Sequence, residues 1–115
     1  MHGLLIGTDG TAKVIDLTEK GNRLATLRHY CASGGTVDVV QLTSQLDMWV
    51  DDEGIYTADI NLAATRIAQR FGHLHQSYYG PAMLTGFTSD GDTTGLSIAQ
   101  AHHLIDLANT PSSHH

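Results

Sequence analysis

Two histidines two residues apart, His73 and His75, form the pair whose spacing most directly suggests chemistry. On an extended segment alternate side chains share a side, so both imidazoles could face one metal ion and support a metal-dependent hydrolysis. Zinc ordinarily takes three or four ligands, and no third stands at a diagnostic spacing, since His102 and His103 lie far along the chain. Ordinary loop and helix-surface histidines are the more economical reading. Asp90, Asp92 and Thr94 alternate like the start of a calcium loop, yet the twelfth position counted from Asp90, where a bidentate Glu belongs, is Ala101. His29 and Cys31 are two residues apart on an expected helix, where such neighbours do not face each other, so Cys31 reads as a buried core thiol. The glycines beside Ser33 follow that helix and so cannot offer the N-terminus that phosphate binding uses. No cofactor is implied.

Trp49 carries more information. It shares a strand face with Asp47, opposite the apolar set Leu46, Met48 and Val50. There it either covers a second small core or stands as an exposed aromatic of the kind enriched at protein interfaces. Tyr56, Tyr78 and Tyr79 could join it in a contact surface, each being equally suited to half-buried packing.

These side chains must be positioned by the elements around residues 46–71, where an alternating strand runs into the acidic turn Asp51, Asp52, Glu53 and Gly54. A short return through Ile55 and Tyr56 leads to a helix capped by Asp59 or Asn61, with Ile60, Ala63, Ala64, Ile67 and Phe71 as its buried stripe and Gly72 as its stop. Upstream, residues 3–7 and 12–17 flank an Asp9-Gly10 pair suited to a type I′ hairpin. A helix follows over residues 18–31, its first turn weakened by Gly21 by about 1 kcal/mol relative to Ala. Residues 36–42, rich in β-branched side chains, read as a central strand covered on both faces. Downstream come an irregular loop over residues 72–81, a strand over 82–87, an acidic turn over 88–95, and a last helix opened by a Ser97/Gln100 capping box with Ile98, Ala101, Ile105 and Ala108 as its stripe.

The opening LLIGTDGTAKVIDL, the middle VDVVQL and LDMWVDDEGI, Asn61 with Ala64-Thr65, and then GPAMLTGF and GDTTGL together resemble a small domain family of unknown function found in actinobacteria, their phages and mobile elements. The resemblance spans about residues 4–96 and rests on hydrophobic pattern and turns. It implies a phage or mobile-element origin and no catalytic residues.

A chain of 115 residues with 41% hydrophobic side chains is one globular domain, here residues 1–111, with residues 112–115 read as an affinity-tag remnant or tail. The element order predicts an α+β fold, a mostly antiparallel sheet of about five strands with about three helices packed on one face. A formal charge of -6 with only six Lys and Arg argues against direct nucleic-acid binding and leaves a DNA-mimic inhibitor as the alternative use of acidity. A single cysteine precludes an internal disulfide, and no run approaches the ~18 apolar residues of a membrane span, so a cytoplasmic protein is expected. With no nucleophile, base and oxyanion donors in view, the leading expectation is a phage or mobile-element accessory protein that binds a host protein through Trp49, Tyr56, Tyr78 and Tyr79. Free sheet edges make a homodimer a further expectation.

Overall fold

In a computed structural model describing residues 2–32, 35–53, 58–74, 76–87 and 93–109, the elements run β1 (His2–Ile6), β2 (Ala12–Asp16), α1 (Arg23–Ala32), β3 (Val37–Thr43), β4 (Leu46–Asp51), α2 (Leu62–Arg70), β5 (Ala82–Phe87), β6 (Thr93–Thr94) and α3 (Ile98–Asn109). The sheet order is β2-β1-β5-β4-β3, with the two-residue β6 also on β5, and every pairing is antiparallel. The expected antiparallel α+β architecture with three helices is therefore the one observed. Chain-distant strands meet at its centre: β5 lies between β1 and β4, while β2 and β3 form the two ends.

Alternation along the strands gives the sheet two apolar faces. Leu4, Ile6, Leu46, Met48, Val50 and Leu84 point one way and pack with Ala64, Ile67 and Ala68 of α2 and Leu104 of α3. Met83 and Ile15 point the other way and pack with Leu17 and with Leu27 and Cys31 of α1, with Trp49, Leu5 and Val37 against them. The helices consequently divide, α1 on the Trp49 face and α2 with α3 on the other, and do not share the one face expected from the sequence. A single helical layer would have left one of these apolar faces in water. Gly3 belongs to the α1 side, where a Cβ would lie 2.8 Å from Leu17 Cδ2 and 3.0 Å from Met83 Sδ. Its missing side chain lets that second core close.

Local chemistry sets the boundaries. The β1–β2 connection is a three-residue loop and not the two-residue type I′ turn. Gly7 pairs with Thr11 through its N–H at 2.8 Å, Gly10 N–H reaches Gly7 O at 3.0 Å, and Gly10 sits at φ 88°. The Asp9 carboxylate accepts the Thr11 N–H at 3.0 Å and hydroxyl at 2.7 Å, favouring this wider turn. Helix α1 begins later than its periodicity suggests, because Asp16 captures the Thr18 N–H and hydroxyl in a turn and Asn22 Oδ1 caps Ala25 N–H at 2.8 Å. Helix α2 ends as expected: Gly72 at φ 96° follows Phe71, and the His73 N–H reaches back to Ala68 O at 3.0 Å. Ile60 falls outside the α2 stripe, 38% exposed and bridged to Tyr79. The capping box of α3 is formed, with Gln100 Oε1 accepting Ser97 N–H at 2.8 Å and Ser97 Oγ accepting Gln100 N–H at 3.1 Å. The return segment Ile55–Tyr56 and the turn containing Asp90 and Asp92 lie outside the described residues.

One strand departs in a way that matters below. β3 is an end strand of the sheet and not a central one, since its β-branched residues pair only with β4 among the described residues. Val39 is accordingly 44% exposed.

Candidate functional surface

Trp49 is built into the surface from beneath. Its indole Nε1–H donates to Thr85 Oγ1 at 2.9 Å, a hydroxyl that is fully buried on the neighbouring strand β5. One edge of the ring is thus satisfied inside the protein, and the ring packs partly against the second core. The rest of the half-buried indole lines a shallow hollow of about 290 Å³ with Leu24 and Leu27 of α1 and with Asn22 and Arg23. Val39 is its partner across the β3–β4 ladder and so stands on the same face. Leu24 is 45% exposed and Val39 44% exposed, which makes the junction of α1 with the end strand an apolar surface around a tethered tryptophan. The ring thus covers part of the second core and leaves its remaining surface open to the hollow.

The tyrosines are elsewhere. Tyr78 is buried, 4% exposed, and packs in the core on the α2 side of the sheet, whereas Trp49 faces α1. Tyr78 and Tyr79 border a cleft of about 400 Å³ with Asp38, Asp51, Asp52, Gln76 and Ser77. The expected single aromatic surface is therefore divided between two faces. Tyr56 lies outside the described residues.

Asn61 positions this second region. Fully buried, it donates from Nδ2 to Ile6 O and Gly80 O, both at 2.9 Å, and accepts Ala64 N–H on Oδ1 at 2.9 Å as the N-cap of α2. Its own N–H donates to Tyr78 O at 2.7 Å. Thr65 Oγ1 donates to Asn61 O at 2.8 Å and accepts Tyr78 N–H at 3.0 Å. One amide side chain thereby ties the end of β1, the start of α2 and residues 78–80 together, which makes it a structural hub with its polar groups fully engaged.

The acidic residues beside the cleft are held by local bonds. Asp51 Oδ1 accepts Glu53 N–H at 2.9 Å, the Thr36 hydroxyl reaches Asp52 Oδ2 at 3.5 Å, and Asp38 Oδ1 accepts the neighbouring Val39 N–H at 2.9 Å. Asp51 also borders a cleft of about 550 Å³ with Tyr30, Cys31 and Glu53. Burial first, then the charge of Asp51, pushes the Cys31 thiol up to about 12, so it stays protonated in the folded protein. His29 packs edge-on against Tyr30, ring centroids 4.8 Å apart, and not against the thiol. Asp47, 4% exposed on the Trp49 face, has its carboxyl held above the ordinary carboxylate value by burial.

His73 faces the end strand through one ring nitrogen. Its Nε2 stands 3.3 Å from Gln41 O on the end strand, and His75 lies outside the described residues. Among the described residues no three His, Cys, Asp or Glu side chains gather to hold a metal ion.

A family model for a domain of unknown function, DUF3846, matches residues 1–109. The chain belongs to this family. No curated protein and no solved structure matches it. The expectation of a domain family of unknown function is met, and the match assigns no chemistry to any residue. Within this DUF3846 domain no described helix is long and apolar enough to cross a membrane. Sequence reasoning did not place the exposed Leu24 and Val39 beside Trp49. The turn alone would not have placed Val39, because pairing Thr43 with Leu46 in plain register sets Val39 across from Val50, and the irregularity between Gln41 and Thr43 shifts it to Trp49.

Proposed function

We propose that this protein is a phage or mobile-element accessory protein that works in the cytoplasm of an actinobacterial host by binding a host protein. Its contact surface in this reading is the α1–β3 junction around Trp49. The observation that carries it is the tethering of Trp49: the indole N–H is satisfied internally by Thr85, while Leu24 and Val39 beside it remain more than 40% exposed. A rigid aromatic flanked by aliphatic side chains is the type of anchor that dominates binding energy at protein interfaces. The clefts add no opposing claim, since the thiol beside one of them is held protonated and the Asp51 and Asp38 carboxylates bond to backbone N–H groups two and one residues on.

Capture from host lysate tests the reading, comparing wild type with Leu24→Glu and Val39→Glu. Both substitutions place a charge at an exposed position and leave Trp49 and its bond to Thr85 in place. A specific partner retained by wild type and lost from both folded variants supports the surface. Undiminished capture by both refutes it.

A further inference from the structure

We propose that the outer edge of β3 is a strand-addition site for an extended segment of a partner protein in which Lys or Arg alternates with aliphatic residues. The inference rests on the reading of the Trp49 surface as a contact site and adds how that contact is made. Among the described residues β3 ends the sheet, and the Asp52 N–H bond to Thr36 O at 3.2 Å fixes which of its residues face inward. By alternation, the N–H and C=O groups of Val37, Val39 and Gln41 point away from β4. Two contacts agree with this: Asp38 Oδ1 takes the Val39 N–H at 2.9 Å, and His73 Nε2 stands at 3.3 Å from Gln41 O. In the free protein these side chains cap two outward groups, a known way of keeping an end strand from pairing indiscriminately.

An incoming strand replaces both caps with its own C=O and N–H. Its residue across from Val39 then lies on the Trp49 face and extends the apolar surface already described. Its next residue points to the opposite face, where Asp38 borders the cleft with Asp51 and Asp52. Displaced from the Val39 N–H, the Asp38 carboxylate becomes available to a cation. The formal charge of -6 favours a basic segment over a neutral or acidic one.

The probe is the blocked heptapeptide Lys-Val-Lys-Val-Lys-Val-Lys, titrated into the labelled full chain at 0.15 M salt and followed by amide chemical shifts and hydrogen exchange. Expected are saturable shifts over residues 37–41 and slowed exchange at the Val37, Val39 and Gln41 amides, with binding at least tenfold weaker for Asp38→Lys. Val39→Pro, which removes an outward N–H and is admissible on an end strand, should weaken binding equally. The exchange pattern of wild type decides the matter if that variant fails to fold. Equal binding of a peptide of the same composition with its lysines in one block, shifts that map elsewhere, or unchanged exchange at the three amides would overturn the proposal. Concentration-dependent protection of those amides without peptide would overturn it in favour of a second copy of this chain. Loss of partner capture by Leu24→Glu with unprotected β3 amides leaves the contact surface standing and rejects strand addition alone.

Discussion

Replacing Asn61 with Ala should be among the most damaging single changes in this domain. The side chain is fully buried and makes three hydrogen bonds, two from Nδ2 to Ile6 O and Gly80 O and one from Ala64 N–H to Oδ1. Loss of the cap on α2 costs about 1 kcal/mol. Each buried carbonyl left without its donor costs about 1–3 kcal/mol. With partial relief by water the sum is roughly 3–5 kcal/mol, a large part of the roughly 5–15 kcal/mol that stabilises a typical domain. At about 4 °C per kcal/mol for a chain of this size, the melting midpoint should fall by roughly 12–20 °C. Asn61→Asp separates the contributions, because it keeps the cap acceptor but turns an oxygen toward two carbonyl oxygens. Only its protonated form can donate to one of them, so this variant should lose stability relative to wild type as pH rises from acid to neutral. Urea and thermal unfolding by circular dichroism measure both. A loss under about 1 kcal/mol for Asn61→Ala would mean that Asn61 is an ordinary helix cap and that the hub argument is wrong.

Two further outcomes follow from burial. Asp47 has its folded-state pKa raised by burial, so the native protein keeps a proton there after the unfolded chain has lost it, and stability falls as pH rises from near 3.8 through the raised value. Asp47→Asn should therefore be more stable than wild type at pH 7, with the advantage shrinking toward pH 3, as read by unfolding midpoints across that range; an advantage independent of pH would refute the cause. Cys31, 2% exposed with its thiol pushed up to about 12, should resist iodoacetamide at pH 8 in the native protein and react fully in denaturant; fast labelling of folded protein would show an accessible thiolate.

Much of the architecture was legible because strand alternation and cap chemistry are local. Leu46, Met48 and Val50 announced a strand face, and Ser97 with Gln100 announced the start of α3. The place of β3 in the sheet was not legible, because an apolar, β-branched run describes a central strand and an end strand equally until long-range pairing is known. The same ignorance hid the exposure of Val39. It also hid the approach of His73 to a backbone carbonyl of a strand 32 residues away in sequence. The division of the aromatics followed from parity: Trp49 is odd in a strand whose even residues face α2, and Tyr78 is drawn into the α2 side by the Asn61 and Thr65 bonds.

The most direct test of the contact surface is a hydrogen-exchange footprint of the protein alone and in complex with its captured partner. Protection concentrated in residues 23–27 and 37–41 is the predicted result. Protection confined to α2 and α3, with both of those segments exchanging as in the free protein, would contradict it.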